Sequence, residues 1–315
     1  MKKKILVTGG AGFIGANIVK KLVKLGCSVV VYDNCQRSKD LRRLSEIKNK
    51  IKIIKGDIRN LKKLNKSLAG IEMVIHLAYV NGTKFFYQRP NEIMDIAIRG
   101  MLNVIDACKN QGVRELILFS SSEVYGEPEI VPTPENIPLK ISDIKNPRFS
   151  YGGGKICCEL IFQYMCKDFF KKSFTIRPHN VYGPDMGYEH VIPEIITKIK
   201  KLKNKKSLMI QGSGNETRSF IFIDDFVNGF IKVMQKPKHL EIYNIGNNKE
   251  IKIKYLIKKL LIKLGKKNIK IITSKLKKGS PSKRRPNTSK IKKLGYISKI
   301  PLDIGLDKTI NWYNN

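Results

Sequence analysis

Residues 4–26 read KILVTGGAGFIGANIVKKLVKLG, and this stretch decides the architecture. A short aliphatic run, KILVTG, stops at glycines, and an amphipathic segment, FIGANIVKKLVKLG, follows at once. Gly9, Gly12 and Gly15 therefore stand between a strand and a helix, where the backbone must turn tightly and come close to a pyrophosphate. The first N–H groups of the helix and its dipole then face the phosphates. A glycine triplet alone also describes an ordinary strand-to-helix turn, so its surroundings carry the weight.

The second strand-like run, SVVVYDN, ends at Asp33, whose carboxylate can accept hydrogen bonds from an adenosine ribose and would repel a 2′-phosphate. That favours NAD over NADP. The plainer alternative is a turn aspartate followed by Asn34. After IKIIKGDI, Asp57 either lies beside the adenine edge or simply ends the third strand. LRRLSEIKN, EMVIHLA, a helical segment from Glu92 to Asn110 and ELILFSSS continue an alternation of strands and amphipathic segments. This rhythm predicts an α/β fold with a doubly wound parallel sheet of the Rossmann type. The second half repeats it less regularly, with strand-like FTIRPHNVYGP and EIYNIGN and helix-like VIPEIITKIKKLK and SFIFIDDFVNGFIKVM. We expect the Rossmann domain over residues 1–178 and 222–248, and a smaller α/β substrate domain over residues 179–221 and 249–315. Between them GEPEIVPTPENIPLKISDIKNPRFS, rich in proline and without period, reads as a long surface loop leading into YGGGK.

The chain of 315 residues carries a formal charge of +35, and its 49 lysines and 12 arginines are scattered from Lys2 to Lys308. Such a spread reads as a drift towards A/T-rich codons more than as a binding surface, although it would steer an anionic substrate. A nucleic-acid partner is not expected, since only Lys275 to Arg285 concentrates charge on one segment. The six cysteines have no CxxC pairing and no histidines at metal spacing, so no metal site is expected, and reduced thiols fit a cytoplasmic protein. No stretch reaches transmembrane length.

Tyr151 and Lys155 lie at i and i+4 in SYGGGKICCELIFQYM, which puts both side chains on one helical face. An ammonium near a phenol stabilises the phenolate, making tyrosine a usable general base. The YxxxK spacing alone is common by chance. Together with TGGAGFIG, Asp33, GDI, HLA at His76 to Ala78, SSSEVYG, YGGGK, RPHNVYGP, TRSFIFIDD and RRPN, however, the chain resembles the extended short-chain dehydrogenase/reductase family over nearly its whole length. The likeness is to the nucleotide-sugar epimerases, dehydratases and decarboxylases.

The resemblance implies NAD held by Gly9, Gly12, Phe13, Ile14 and Gly15, by Asp33 and Asn34, by Asp57 and Ile58, by Leu77 and Ala78, and by Tyr151 and Lys155. It implies Ser121 and Tyr151 as the catalytic pair, with Lys155 holding the nicotinamide ribose. Ser121, Ser122, Asn180, Arg218 and Arg284, the last adjoining Arg285, are implied on the nucleotide diphosphate-sugar. A homodimer through a four-helix bundle formed by 93–109 and 154–169, and a place in polysaccharide biosynthesis, are further implications.

All relatives of this pattern begin with a 4-keto sugar. Glu123 matches the position where dehydratases and decarboxylases place a glutamate and points away from plain epimerisation, whereas Ser122 replaces the aspartate of many dTDP-glucose-type dehydratases, although GDP-mannose dehydratases resemble this chain in having serine there. Tyr79 and Asn81 depart from the decarboxylase pattern. Glu189 and His190 read as a helix cap, a surface contact or an acid-base pair. On balance the expectation is a nucleotide-sugar 4-epimerase, with a 4,6-dehydratase or a decarboxylase as the alternative.

Overall fold

The alternation read from the sequence becomes, in chain order, β1 (Lys4–Thr8), α1 (Phe13–Lys24), β2 (Ser28–Asp33), β3 (Ile51–Lys55), α2 (Leu61–Ser67), β4 (Met73–His76), α3 (Thr83–Gln88), α4 (Pro90–Asn110), β5 (Glu115–Phe119), α5 (Phe149–Met165) and β6 (Phe174–Pro178). This is a computed structural model that describes residues 3–38, 41–203, 206–266, 268–276 and 278–314. Lys2 of the basic start and Lys277 of the basic run lie outside the described residues. From β1 the chain winds outward to β2 and β3, then crosses to β4, β5 and β6 on the other side, with every pairing parallel. The reversal beside β1 opens a crevice at the carboxyl ends of β1 and β4, where ligands bind in sheets of this kind.

Both faces of the sheet are covered, as the uninterrupted aliphatic runs require. In β1, Ile5 and Val7 pack with Ile18, Val19 and Phe226 in one core, while Leu6 between them faces Val104 and Ile105 in the other. One expectation changes form. LRRLSEIKN, read as an amphipathic segment like the others, folds as a 3₁₀ helix over Arg42–Lys50 whose one buried residue is Leu44. A single apolar anchor is too little to hold a packed helical face.

The second half adds β7 (Val181–Tyr182), α6 (Val191–Lys200), β8 (Ser207–Gln211), β9 (Thr217–Arg218), β10 (Ile221–Phe222), α7 (Ile223–Gln235), β11 (Glu241–Ile245), β12 (Ile251–Lys252), α8 (Ile253–Lys263), β13 (Lys270–Ser274), β14 (Lys283–Arg284), α9 (Ser289–Lys292) and α10 (Leu302–Asn314). β11 joins β6 and completes a seven-stranded sheet of order β11-β6-β5-β4-β1-β2-β3. The other strands form three small sheets, β10 with β7, β13 with β8, and β9 between β12 and β14. No described helix is long and apolar enough to cross a membrane.

At the end of β6 stands Arg177, 2% exposed, with Glu159 of α5 beside it at 7%. The pair is bidentate, with Nε donating to Oε1 at 2.9 Å and Nη2 to Oε2 at 2.6 Å. The Nη1 group donates to the Tyr125 hydroxyl at 2.7 Å and to the Glu135 carbonyl at 2.9 Å. Tyr125 in turn donates to Asn244 of β11 at 2.8 Å. One guanidinium thus ties the sheet, α5, the turn at Ser122–Tyr125 and the long loop together. That loop contains neither strand nor helix before α5, as expected, but it is sewn to the segment at 278–287: Thr133 N–H donates to the Arg285 carbonyl at 2.8 Å, Asn287 N–H to the Thr133 carbonyl at 2.8 Å, and Asn146 Nδ2 to the Lys278 carbonyl at 3.1 Å.

Glu159→Ala leaves Arg177 buried without its carboxylate, and removing one partner of such a pair costs about 3–5 kcal/mol. Urea unfolding should register a loss of this size, and a loss below about 1 kcal/mol would show that water or Tyr125 neutralises the site instead.

Candidate active site

A cleft of about 1280 Å³ opens at the reversal of the sheet, and every residue assigned above to cofactor, substrate or catalysis lines it. Its floor is the glycine turn. Gly9 has φ +69°, and a Cβ there would stand 2.7 Å from the Ala78 nitrogen. A Cβ on Gly15 would overlap the Gly9 carbonyl oxygen and lie 2.8 Å from the Gly10 Cα. The glycines let α1 start directly over the end of β1. Gly12 caps α1 without a side-chain hydrogen bond, and no acidic residue occupies the first turn, so the helix presents bare N–H groups to the cleft.

Asp33 holds this turn. Its Oδ2 accepts from the Ala11 N–H at 3.0 Å and its Oδ1 from the Cys35 N–H at 2.8 Å. The carboxylate therefore shapes the glycine loop as well as facing the cleft. Asp57 is engaged by Arg59, which donates from its backbone at 2.9 Å and its side chain at 3.0 and 2.7 Å. These bonds, chiefly those from the Arg59 side chain, hold the Asp57 carboxyl below its usual range, with a further bond from Asn34. The donor set suits a dinucleotide: N–H groups and glycine clearance for a pyrophosphate, and an acceptor at Asp33 for a ribose.

Tyr151 and Lys155 both come from the first turns of α5 and are 5% and 3% exposed. Ser121 follows β5 and caps the 3₁₀ turn Ser122–Tyr125, its Oγ accepting from the Glu123 N–H at 3.2 Å. The expectation that Lys155 pulls the phenol pKa down is corrected here: burial pushes it above its ordinary value, and the opposing pulls come from Ser121 and the Arg37 guanidinium. Lys155 instead donates to the Phe119 carbonyl at 2.7 Å, and burial lowers its own pKa to about 8. The phenol ring is fixed by Phe86, stacked at 4.7 Å, and by Tyr79, edge-on at 5.1 Å.

Glu123 lies in the same wall under three arginines. Arg284 Nη1 donates to its Oε1 at 2.6 Å, and Arg148 Nη2 is 3.7 Å from its Oε2. Burial pushes this carboxyl up, but Arg284, Arg148 and Arg218 outweigh it and hold the group at about 2. Ser122 is buried. Arg218 donates to the Thr217 and Pro281 carbonyls, each at 2.8 Å, and Asn180, at φ +40°, donates to the Ser219 carbonyl at 3.0 Å. Glu189 pairs with Arg37 at 3.3 Å, and His190 begins α6 without a side-chain cap bond, its pKa lowered to about 4 by burial and then by Arg37.

Sequence reasoning passed over Arg148 and Arg37. Arg148 sits three residues before Tyr151 in the same run and carried no motif signal. Arg37 reaches the cleft from beyond β2, and only the fold brings it near Tyr151.

A family model described as the NAD dependent epimerase/dehydratase family matches residues 5–246. Over 323 residues the chain is 31% identical to the dTDP-D-glucose 4,6-dehydratase of Mus musculus, covering 99% of this chain and 88% of the mouse protein. It is 28% identical over 326 residues to the UDP-N-acetyl-alpha-D-glucosaminuronate decarboxylase of Bacillus cytotoxicus, covering 99% and 98%. Among solved structures, the UDP-glucose 4-epimerase of Thermotoga maritima with UDP-glucose superposes with a TM-score of 0.86 at 28% identity, covering 99% of this chain and 98% of the other.

Gly15→Ala drives a methyl group into the Gly9 carbonyl, and relief requires α1 to back away from the turn. The variant should bind NAD at least tenfold more weakly by calorimetry, and wild-type affinity would show that the turn is not the cofactor cradle.

Proposed function

The chain belongs to the NAD-dependent epimerase/dehydratase family of nucleotide-sugar enzymes, and from that premise we propose that it is a nucleotide-sugar 4-epimerase acting through a transient 4-keto sugar. The observation that carries this reading is the pairing of Glu123 with Arg284 at 2.6 Å. A 4,6-dehydratase needs a base for carbon 5 and an acid for the 6-hydroxyl. A carboxylate held at about 2 is a weak base, and the neighbouring Ser122 is no acid. Epimerisation asks for neither.

What remains in the cleft suffices for it. The Ser121 hydroxyl can hold the O4 of the sugar, and Tyr151 can take its proton and later return it. Lys155, on the same face of α5, would hold a cofactor ribose. When bound, NAD would supply the acceptor and then the donor of the hydride at carbon 4. Burial raises the phenol pKa in the protein alone, and a positive charge supplied beside it by bound cofactor would favour the phenolate. Arg218, Arg284 and Asn180 line the cleft and would meet the diphosphate.

A second reading has its own support. Three guanidiniums around one carboxylate leave a local excess of positive charge that suits a sugar 6-carboxylate as well as a diphosphate. That would make the substrate a nucleotide-uronate and the outcome a decarboxylation. We also propose a homodimer built on α4 and α5, supported by the exposure of Leu160, Tyr164 and Met165 on α5.

The deciding measurement is incubation with UDP-, GDP-, dTDP- and CDP-sugars, including uronates, followed by mass spectrometry and NMR. Unchanged mass with an inverted C4 supports the epimerase, loss of carbon dioxide the decarboxylase, and loss of water removes the argument from Glu123. With whichever sugar turns over, Tyr151→Phe should retain NAD binding and slow turnover by about 10²–10⁴-fold; unchanged turnover would remove Tyr151 as the base.

A further inference from the structure

Tyr79 takes no part in the chemistry above, yet it touches both members of the reacting pair. It follows Ala78 just beyond β4 and is half-buried, with its hydroxyl reaching Gly154 of α5. The Lys155 ammonium stands 3.9 Å from the centre of its ring, and the ring meets Tyr151 edge-on at 5.1 Å and 85°. Lys155 is 3% exposed and makes no ion pair among the described residues. Its partners are the Phe119 carbonyl at 2.7 Å and the face of this ring. A buried ammonium without a carboxylate needs such partners to remain charged.

The catalytic helix is cut to admit the ring. Between Tyr151 and Lys155 run three glycines, each a poor helix former. A Cβ on Gly154 would overlap the Tyr79 hydroxyl oxygen and stand 2.9 Å from the Ala97 Cβ. The hydroxyl is buried and has no hydrogen-bond partner among the described residues, so it is not held there by a polar bond of its own. Space for the ring and its oxygen is what Gly154 provides.

We propose that Tyr79 is the positioning residue of the reacting pair: the face of its ring holds the Lys155 ammonium, its edge sets the Tyr151 ring, and Gly154 is cleared to let it in. This rests on Tyr151 and Lys155 being the reacting pair. The groups facing Lys155 are Cys158 and Glu159 on α5, His76 at the end of β4, and Tyr79. Burial already lowers the Lys155 pKa, and removing the ring removes stabilisation of the charged form, so the pKa must fall further.

The test is the titration of Lys155 itself in the full chain with NAD added, by NMR of ζ-¹⁵N-labelled lysine, with the signal assigned by its loss in Lys155→Met. Tyr79→Phe keeps the ring and should titrate as the wild type. Tyr79→Leu should titrate about one pH unit lower. Should Tyr79→Leu fail to fold by circular dichroism, Tyr79→Met fills a similar volume without a ring and takes its place. Gly154→Ala should lower the unfolding midpoint, and Tyr79→Phe combined with it should recover part of the loss by removing the overlapping oxygen. A folded ringless variant that titrates like the wild type overturns the proposal, as does an equal shift in the Phe and ringless variants. No sugar substrate enters the titration, so an error about the reaction at carbon 4 leaves its outcome readable.

Discussion

A guanidinium buried at the end of a parallel strand must be neutralised where it stands, and the catalytic half of this molecule is arranged around meeting that demand at Arg177. Glu159 meets it from α5, one helical turn beyond Lys155, which fixes both the rotation and the height of α5 against the sheet. With α5 so placed, Tyr151 and Lys155 face the crevice beside β1. The remaining donor of Arg177 reaches Tyr125 and Glu135, and so sets the turn that carries Ser121 and Glu123 and the start of the long loop. Breaking the pair would therefore disturb chemistry as well as stability, since the helix and the turn share one anchor.

The cofactor side depends on close approach rather than on charge. Gly9 and Gly15 bring α1 onto the end of β1, and Asp33 locks the resulting loop through the Ala11 N–H. The same loop is linked to the substrate side. Ser38 and Arg43 both reach the Ala11 carbonyl, and Arg42 and Arg43 converge on Asp185, which lies between β7 and α6. In a chain with 61 basic and 26 acidic residues, four acids of the cleft are held by arginine: Asp185 by Arg42 and Arg43, Glu123 by Arg284, Asp57 by Arg59 and Glu189 by Arg37. Planar, bidentate arginine suits such pairing with carboxylates.

These pairings bear directly on the choice of reaction. A carboxylate beside the reacting tyrosine reads as a base when only its position is known. The same carboxylate under three guanidiniums is held well below its ordinary pKa, against the pull of burial. The relatives span dehydration, epimerisation and decarboxylation at similar identity, so overall similarity does not choose among them.

The sequence by itself determined the parts governed by local rules: the strand-glycine-helix start, the parallel rhythm of the sheet, and the presence of Tyr151 and Lys155 on one helical face. Each follows from residue spacing along a single element, where period and turn chemistry act over a few residues. Only the tertiary structure decided what those residues meet. That Arg284 of β14 lands on Glu123, that Arg148 and Arg37 enter the cleft, that Tyr79 lies under Lys155, and that Gly154 is small for Tyr79 are all contacts between segments far apart in the chain or folded onto each other by packing. No periodicity encodes them, because the energy of a buried charge or a tight contact belongs to the pair and its surroundings, and those exist only once the chain has folded.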